Sequence, residues 1–112
     1  MKTVRINRKK WLRGNFGSEL WDLTEDAGCC LGHVCIQINR KSKKQLHMHY
    51  SPEEVFLRGS TLTQVKNGCV KNNDFVEEAI HFNDHTRFSE EERESKLIQL
   101  FKKNDIKLEF YN

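Results

Sequence analysis

The chain has 112 residues, of which 37% are hydrophobic and 31% are charged, and its formal net charge is +3. This length is typical of one domain and allows a core without a metal ion or a disulfide. The small net charge alone does not indicate nucleic-acid binding. The sequence contains neither a run of about 18 apolar residues nor a charged-then-apolar leader. We therefore expect a single domain over residues 1–112 that is cytoplasmic and makes no membrane contact.

The first predicted element is a strand over residues 3–7, where polar and apolar residues alternate. A basic turn containing Trp11, Leu12, Arg13 and Gly14 follows. We interpret Trp11 as a cover for the edge of the core, and the alternative is a stacking platform for a base. The guanidinium of Arg13, beside Gly14, can bind a phosphate or a carboxylate through two hydrogen bonds. A surface salt bridge is the simpler interpretation.

Residues 28–38 predict a buried helix, because apolar residues recur at i, i+3, i+4 and i+7. Cys29 and Cys30 fall in its first turn, where free backbone N–H groups and the helix dipole favour a thiolate. Residues 33–39 also alternate, so a strand is the competing interpretation. The positions that favour the helix are Leu31, Val34, Cys35 and Ile38.

The segments around this helix carry weaker signals. Residues 15–18 predict a loop, and residues 19–23 alternate as a short strand. Asp26 is expected to help cap the central helix. After the helix, residues 40–44 predict a charged connection.

A short helix is predicted to start at Ser51, with Pro52 in its first turn. A strand over residues 61–65 and a turn over residues 66–68 follow. A third helix is expected to be capped by Asn72 or Asn73 and to end at Asn83 and Asp84. Its predicted inward side chains are those of Phe75, Val76, Ala79 and Ile80.

The fourth helix is predicted to start at Ser89, which forms a capping box with Glu92. Asn104 is expected in the left-handed conformation that ends it. Residues 106–111 then alternate as a strand that pairs with the opening strand. The predicted buried face of the helix is Leu97, Ile98 and Phe101. The sequence therefore predicts an α+β domain in which a small sheet from the N- and C-terminal strands packs with three to four helices.

The four cysteines are expected to be thiols, because no export signal is present and their spacing matches no disulfide framework. Cys29 or Cys30 can act as a nucleophile with His33 as its base, as in a cysteine-dependent hydrolase or transferase. Asn83 or Asp84 can orient such a base. We favour the alternative in which Cys30 and Cys35 are small buried hydrophobic residues and Cys29 is a structural residue at the start of the helix.

Cys30, His33, His47 and His49 are the candidate zinc ligands, and their spacings fit a tetrahedral site. No Cys-x-x-Cys knuckle accompanies them, and residues 47–50 equally predict a strand with solvent-facing imidazoles. We expect no metal and no other cofactor.

Basic residues cluster before Glu19 and again over residues 40–44, and glutamates cluster over residues 90–94. Oppositely charged solvated surfaces are the plain interpretation. A surface that contacts phosphate is the alternative, although no helix-turn-helix or Gly-rich phosphate loop accompanies the basic residues. Nucleotide or nucleic-acid binding through the basic N-terminal turn therefore stays an alternative function.

Residues 4–14, with their Trp-Leu-Arg-Gly motif, and residues 28–32, with Cys-Cys-Leu-Gly, resemble a family of small, largely uncharacterised phage and bacterial proteins. Those proteins end with an Ile-Asn-Asp segment, a glutamate-rich helix and a strand. The corresponding segments here are Phe82-Asn83-Asp84, residues 89–103 and residues 106–110. The resemblance implies a phage accessory protein that acts in the host cytoplasm by binding a host component.

We therefore expect a non-enzymatic protein that binds and modulates a host factor or sequesters a ligand. Its partner is a host protein or a small phosphate-bearing ligand. In the predicted surface, Arg13 is the charged anchor and Trp11 is the apolar contact. The free backbone N–H groups after Gly28 are a predicted anion-binding site. The predicted binding residues are Trp11, Arg13, Gly14, Cys29, Cys30, Asn83 and Asp84.

Overall fold

The computed structural model describes residues 1–51 and 73–112, and it has the α+β architecture that the sequence predicts. The predicted helix that starts at Ser51, the strand over residues 61–65, the turn over residues 66–68 and Cys69 lie outside the described residues, wholly or in large part. The elements in chain order are β1 (Lys2–Asn7), a 3-10 turn (Arg8–Lys10), α1 (Cys30–Gln37), α2 (Lys43–Leu46), α3 (Asn73–Asp84), α4 (Glu90–Lys103) and β2 (Ile106–Tyr111).

The sheet joins the two ends of the described chain, as predicted. β1 and β2 pair in parallel, with Val4 opposite Leu108 and Ile6 opposite Phe110. The other edge of β1 is occupied by a side chain. The amide of Gln37 accepts from Arg5 N at 2.8 Å and donates to Arg5 O at 2.7 Å. The end of α1 therefore satisfies the backbone groups that a third strand would otherwise satisfy.

Residues 30–37 are helical, so the competing strand over residues 33–39 is wrong. Leu31, Val34 and Cys35 are fully buried, and Ile38 forms the C-cap. The prediction that Asp26 caps α1 is also wrong. The N-cap is Cys29, which makes no side-chain capping hydrogen bond, whereas the Asp26 carboxylate bonds to lysines on two other segments.

The predicted strand over residues 19–23 is absent from the described structure. Leu20 and Trp21 are both buried, so the side chains do not alternate between core and solvent. Only isolated bridges form, from Trp21 to His47 and from Asp22 to Ala27. The charged connection over residues 40–44 instead leads into α2, where Ser42 and Gln45 form a capping box.

The two long helices follow the predicted pattern closely. α3 ends at Asp84 and buries Phe75, Val76 and Ala79, while Ile80 packs at the edge of the core. Its predicted cap, the side chain of Asn72 or Asn73, lies outside what the structure describes.

α4 begins at Ser89, and the predicted capping box with Glu92 is confirmed. Two other predictions for this helix are wrong. Ile98 is exposed, because the buried face follows the spacing of Arg93, Leu97, Leu100 and Phe101. Asn104 has a φ of −106°, and the left-handed residue is Asp105, with a φ of 62°. None of the helices in the described parts of the chain combines the length and the apolarity that a membrane crossing needs.

Candidate functional site

The residues predicted to form one surface do lie together, and Asn83 is the residue that joins them. Its Oδ1 atom accepts from Trp11 Nε1 at 2.8 Å and from Cys30 N at 3.0 Å. Its Nδ2 atom donates to Leu12 O at 2.9 Å and to Asp84 Oδ1 at 2.8 Å. One amide thus links the turn after β1, the start of α1 and the end of α3.

A buried arginine completes this network from α4. Arg93 is 2% exposed, and its guanidinium donates to Phe82 O and Asn83 O at 2.9 Å and to Phe88 O at 3.2 Å. The Asn83 carbonyl also accepts from Gly14 N at 2.9 Å. The sequence gives no indication of this role, because Arg93 lies in a run of charged residues typical of an exposed helix face.

The predicted residues are therefore close together but mostly enclosed. Trp11, Cys29, Cys30, Asn83 and Asp84 are buried, and only Arg13 and Gly14 keep intermediate exposure. The interpretation of Trp11 as a cover for the core agrees with its contacts, since its ring also packs on Phe110 with centroids 4.5 Å apart. A ligand approaching from solvent meets little of this set.

Cys29 and Cys30 are buried at the start of α1, which supports the favoured interpretation of the cysteines over the thiolate alternative. Burial raises the pKa of the Cys29 thiol to about 12, and burial likewise raises the pKa of Cys30 above its ordinary value. The start of a helix favours a thiolate only where the group keeps contact with water or a cation. The three described cysteines, Cys29, Cys30 and Cys35, are free thiols in the core.

His33 is not placed as a base for either thiol. Its Nε2 atom lies 2.9 Å from Lys10 O, which only a protonated Nε2 can satisfy, and its ring packs edge-on against Trp21. Burial lowers the pKa of His33 to about 4, although the Lys10 and Gly28 carbonyls oppose this effect. A neutral, enclosed imidazole is therefore part of the core.

This histidine predicts how stability depends on pH. Above pH 6.5 the ring is neutral in both states, so it contributes no pH dependence. Below pH 6.5 the unfolded chain takes up a proton that the folded chain binds only near pH 4. We expect His33 to lower the free energy of unfolding by about 2 kcal/mol between pH 8 and pH 5. Urea denaturation across this range measures the loss, and His33→Gln should reduce it. An identical pH slope in the variant would contradict the assignment.

The basic N-terminal turn is largely neutralised by acidic partners. Arg8 pairs with Glu94 through two hydrogen bonds of 2.8 Å. Arg13 pairs with Glu90 at 2.8 Å, and its guanidinium also donates to two backbone carbonyls of its own turn. The glutamate-rich start of α4 thus lies against this turn. Both arginines are already paired with carboxylates before any phosphate arrives.

The predicted zinc ligands are not brought together. Within residues 1–51 and 73–112, the ligating atoms that lie within 4.8 Å of one another belong to Glu19, Asp22 and His47. Cys30 and His33 are enclosed in the core. Residues 47–50 do not form the alternative strand either, since Met48 takes a φ of 64°.

Two loop segments carry four of the exposed large hydrophobic side chains of the described residues. Residues 15–25 and 47–50 are held together by hydrogen bonds from Leu20 N to His49 O at 2.7 Å and from Met48 N to Glu19 Oε2 at 3.1 Å. We call these two segments the loop face. Its exposed large side chains are Phe16 (79%), Leu23 (44%), Met48 (68%) and Tyr50 (47%).

A surface cavity of about 230 Å³ opens beside the loop face. Leu12 and Arg13 line one side, and the loop from Asn15 to Glu19, with Asp22, lines the other. The Trp-Leu-Arg-Gly turn therefore borders an open concavity, but it does so through Leu12 and Arg13, while Trp11 faces the core. The sequence offered no signal for the loop face, because the contacts that assemble it join residues about 25 to 30 positions apart.

Comparison of this chain with models of protein families, with curated proteins and with solved structures finds no match.

Proposed function

We propose that the protein is a non-enzymatic binding protein of the phage accessory type, which contacts a host protein through the loop face. The observation that carries this proposal is that Phe16, Leu23 and Met48 are exposed and belong to two segments that hydrogen-bond to each other. Exposed apolar groups concentrated in one place, with aromatic residues and methionine among them, are typical of protein–protein contact surfaces. Loops held by a rigid scaffold commonly carry such contacts.

The charge of this region indicates the chemistry of the partner. Residues 14–26 contain four acidic residues and no lysine or arginine, in a chain whose net charge is positive. Asp26 is neutralised by Lys10 and Lys43, which leaves the carboxylates of Glu19, Asp22 and Glu25 on the loop face. A partner that presents apolar side chains beside lysine or arginine is complementary to this surface.

The alternatives have less support from the same contacts. A cysteine-dependent enzyme needs an accessible nucleophile with a lowered pKa, whereas Cys29 and Cys30 are buried and their pKa values are raised. Nucleic acid or a nucleotide would have to displace Glu90 from Arg13 and would meet an acidic surface beside it.

The proposal is tested by affinity capture from host lysate with three tagged baits. They are the wild-type protein, a loop variant with Phe16→Ser and Met48→Ser, and a control variant with Ile98→Ser and Tyr111→Ser. All four positions are exposed, so both variants should fold. We expect a protein partner that the control variant retains and that the loop variant recovers about tenfold less, since exposed aromatic anchors dominate such contacts.

Equal recovery of that partner by the loop variant would contradict the proposal, as would a wild-type bait that retains nothing beyond the untagged beads. An Arg13→Ala bait separates the two sides of the cavity. If it recovers the partner as well as the wild-type protein does, Arg13 is not part of the contact.

A further inference from the structure

We propose that Glu19, Asp22 and His47 bind one divalent transition-metal ion, of which Zn²⁺ is the representative. One ligating atom from each residue lies within 4.8 Å of the other two. Ligands at about 2.1 Å from a tetrahedral zinc ion are about 3.4 Å apart, so a small side-chain movement would bring the three atoms into coordination. This inference does not depend on the proposed function, but the two share Glu19 and Asp22, so a bound ion would reduce the negative charge that the loop face offers to a basic partner.

The hydrogen bonds at His47 place an acceptor nitrogen against an acceptor oxygen. Leu23 N donates to His47 Nδ1 at 3.2 Å, which requires an Nδ1 atom without a proton. The same Nδ1 atom lies 3.8 Å from Glu19 Oε2. Two acceptors therefore face each other, and a proton on Nδ1 would oppose the Leu23 N–H group. A metal cation is attracted to both acceptors. A bound ion would take the place of the Leu23 N–H group at this lone pair.

The carboxylates are held in place by backbone donors. Glu19 Oε2 accepts from Met48 N at 3.1 Å, and Asp22 Oδ1 accepts from Thr24 N at 2.9 Å and from Glu25 N at 3.3 Å. The side chains of Glu19 and His47 are only 22% and 32% exposed. Such ligands lose less conformational freedom when an ion binds, and outer hydrogen bonds of this kind orient metal ligands.

The ligand types select the class of ion. An imidazole nitrogen with two carboxylates suits zinc, manganese, cobalt or nickel, whereas calcium and magnesium prefer oxygen alone. Thiolates are absent from the set, so the site is not one for copper(I) or an iron–sulfur cluster. His47 comes from one segment of the loop face and the two carboxylates from the other. A bound ion would therefore cross-link the two segments.

The test titrates the full-length protein with ZnCl₂ by calorimetry and with CoCl₂ by visible absorption. We expect one site, with cobalt bands that lack the thiolate charge-transfer absorption. His47→Ala and Asp22→Asn should each weaken binding by about tenfold or more. Asp22→Asn keeps the shape of the side chain, and a thermal melt in EDTA establishes that each variant is folded.

The matched control removes a histidine pair that lies outside the proposed site. His81 lies on α3 and His85 lies just after it, one turn away, with ring centroids 5.0 Å apart, so this pair is the alternative location for a zinc site. A variant with His81→Ala and His85→Ala should bind zinc as the wild-type protein does. Loss of binding in this control, unchanged binding by both loop variants, or absence of a site in the wild-type protein would each overturn the proposal. Equal affinity for Ca²⁺ would overturn the class of ion.

Discussion

Gly32→Ala is expected to destabilise the protein by about 3 kcal/mol or more, because α1 approaches the Leu20 backbone with no room for a side chain. A Cβ atom on Gly32 would overlap the Leu20 carbonyl oxygen and lie 2.6 Å from the carbonyl carbon. Both groups are backbone, so neither can rotate away. The higher helix propensity of alanine, worth about 1 kcal/mol, is too small to offset this overlap. Urea denaturation followed by circular dichroism measures the loss.

Gly17→Ala is the control for this substitution. Nothing lies within 4 Å of a Cβ atom at Gly17, although its φ of 77° disfavours any residue other than glycine. We expect a cost of about 1 kcal/mol from this strain alone. If Gly17→Ala and Gly32→Ala lowered the free energy of unfolding equally, steric overlap with the Leu20 backbone could not explain the loss at Gly32.

Asn83→Ala is expected to cost about 3 to 5 kcal/mol, because truncation removes four hydrogen bonds from the interior. Trp11 Nε1 and Cys30 N lose their shared acceptor, and Leu12 O loses its donor. A buried polar group left without a partner costs about 1 to 3 kcal/mol. The loss is measured as the change in the free energy of unfolding. As the urea concentration rises, the tryptophan band in the near-ultraviolet circular dichroism spectrum, to which Trp11 contributes, should weaken before the helical signal does.

Two further variants separate hydrogen bonding from packing at this position. Asn83→Asp keeps the shape and the acceptor but places a second carboxylate against Asp84, so it should destabilise nearly as much as alanine does. Asn15→Ala, in the exposed loop, should change stability by less than about 0.5 kcal/mol. A mild effect of Asn83→Asp would show that the two hydrogen bonds donated by Asn83 contribute little to stability.

Local patterns predicted the elements of this fold well. The alternation in β1 and β2 and the capping box at Ser89 are short-range signals, and each corresponds to an observed element. The stripe in α1 was sufficient to choose helix over strand, because Leu31, Val34 and Cys35 all face the core. Where the signal was a two-residue alternation alone, as in residues 19–23, long-range contacts from His47 and His49 decided the conformation.

The candidate site was less predictable, because a sequence motif does not indicate whether its side chains are exposed to solvent. Trp11 and Cys30 were correctly predicted to lie near each other, but the residue that joins them in the interior is Asn83, which no sequence signal placed beside them. His47 was considered as a candidate zinc ligand together with Cys30, His33 and His49, whereas the ligating atoms that lie near it belong to Glu19 and Asp22. Glu19 and Asp22 join it through a loop contact that no local pattern encodes.

The parallel pairing of β1 with β2 has a consequence for how the chain is made. Val4 and Ile6 acquire their partner strand only when residues 106–111 are available. A nascent chain emerging from the ribosome therefore carries an incomplete sheet until translation of this stretch is finished, and contacts between such distant residues form slowly. During that interval Val4 and Ile6 lack the strand that covers them, and an unpaired strand of this kind is open to mispairing.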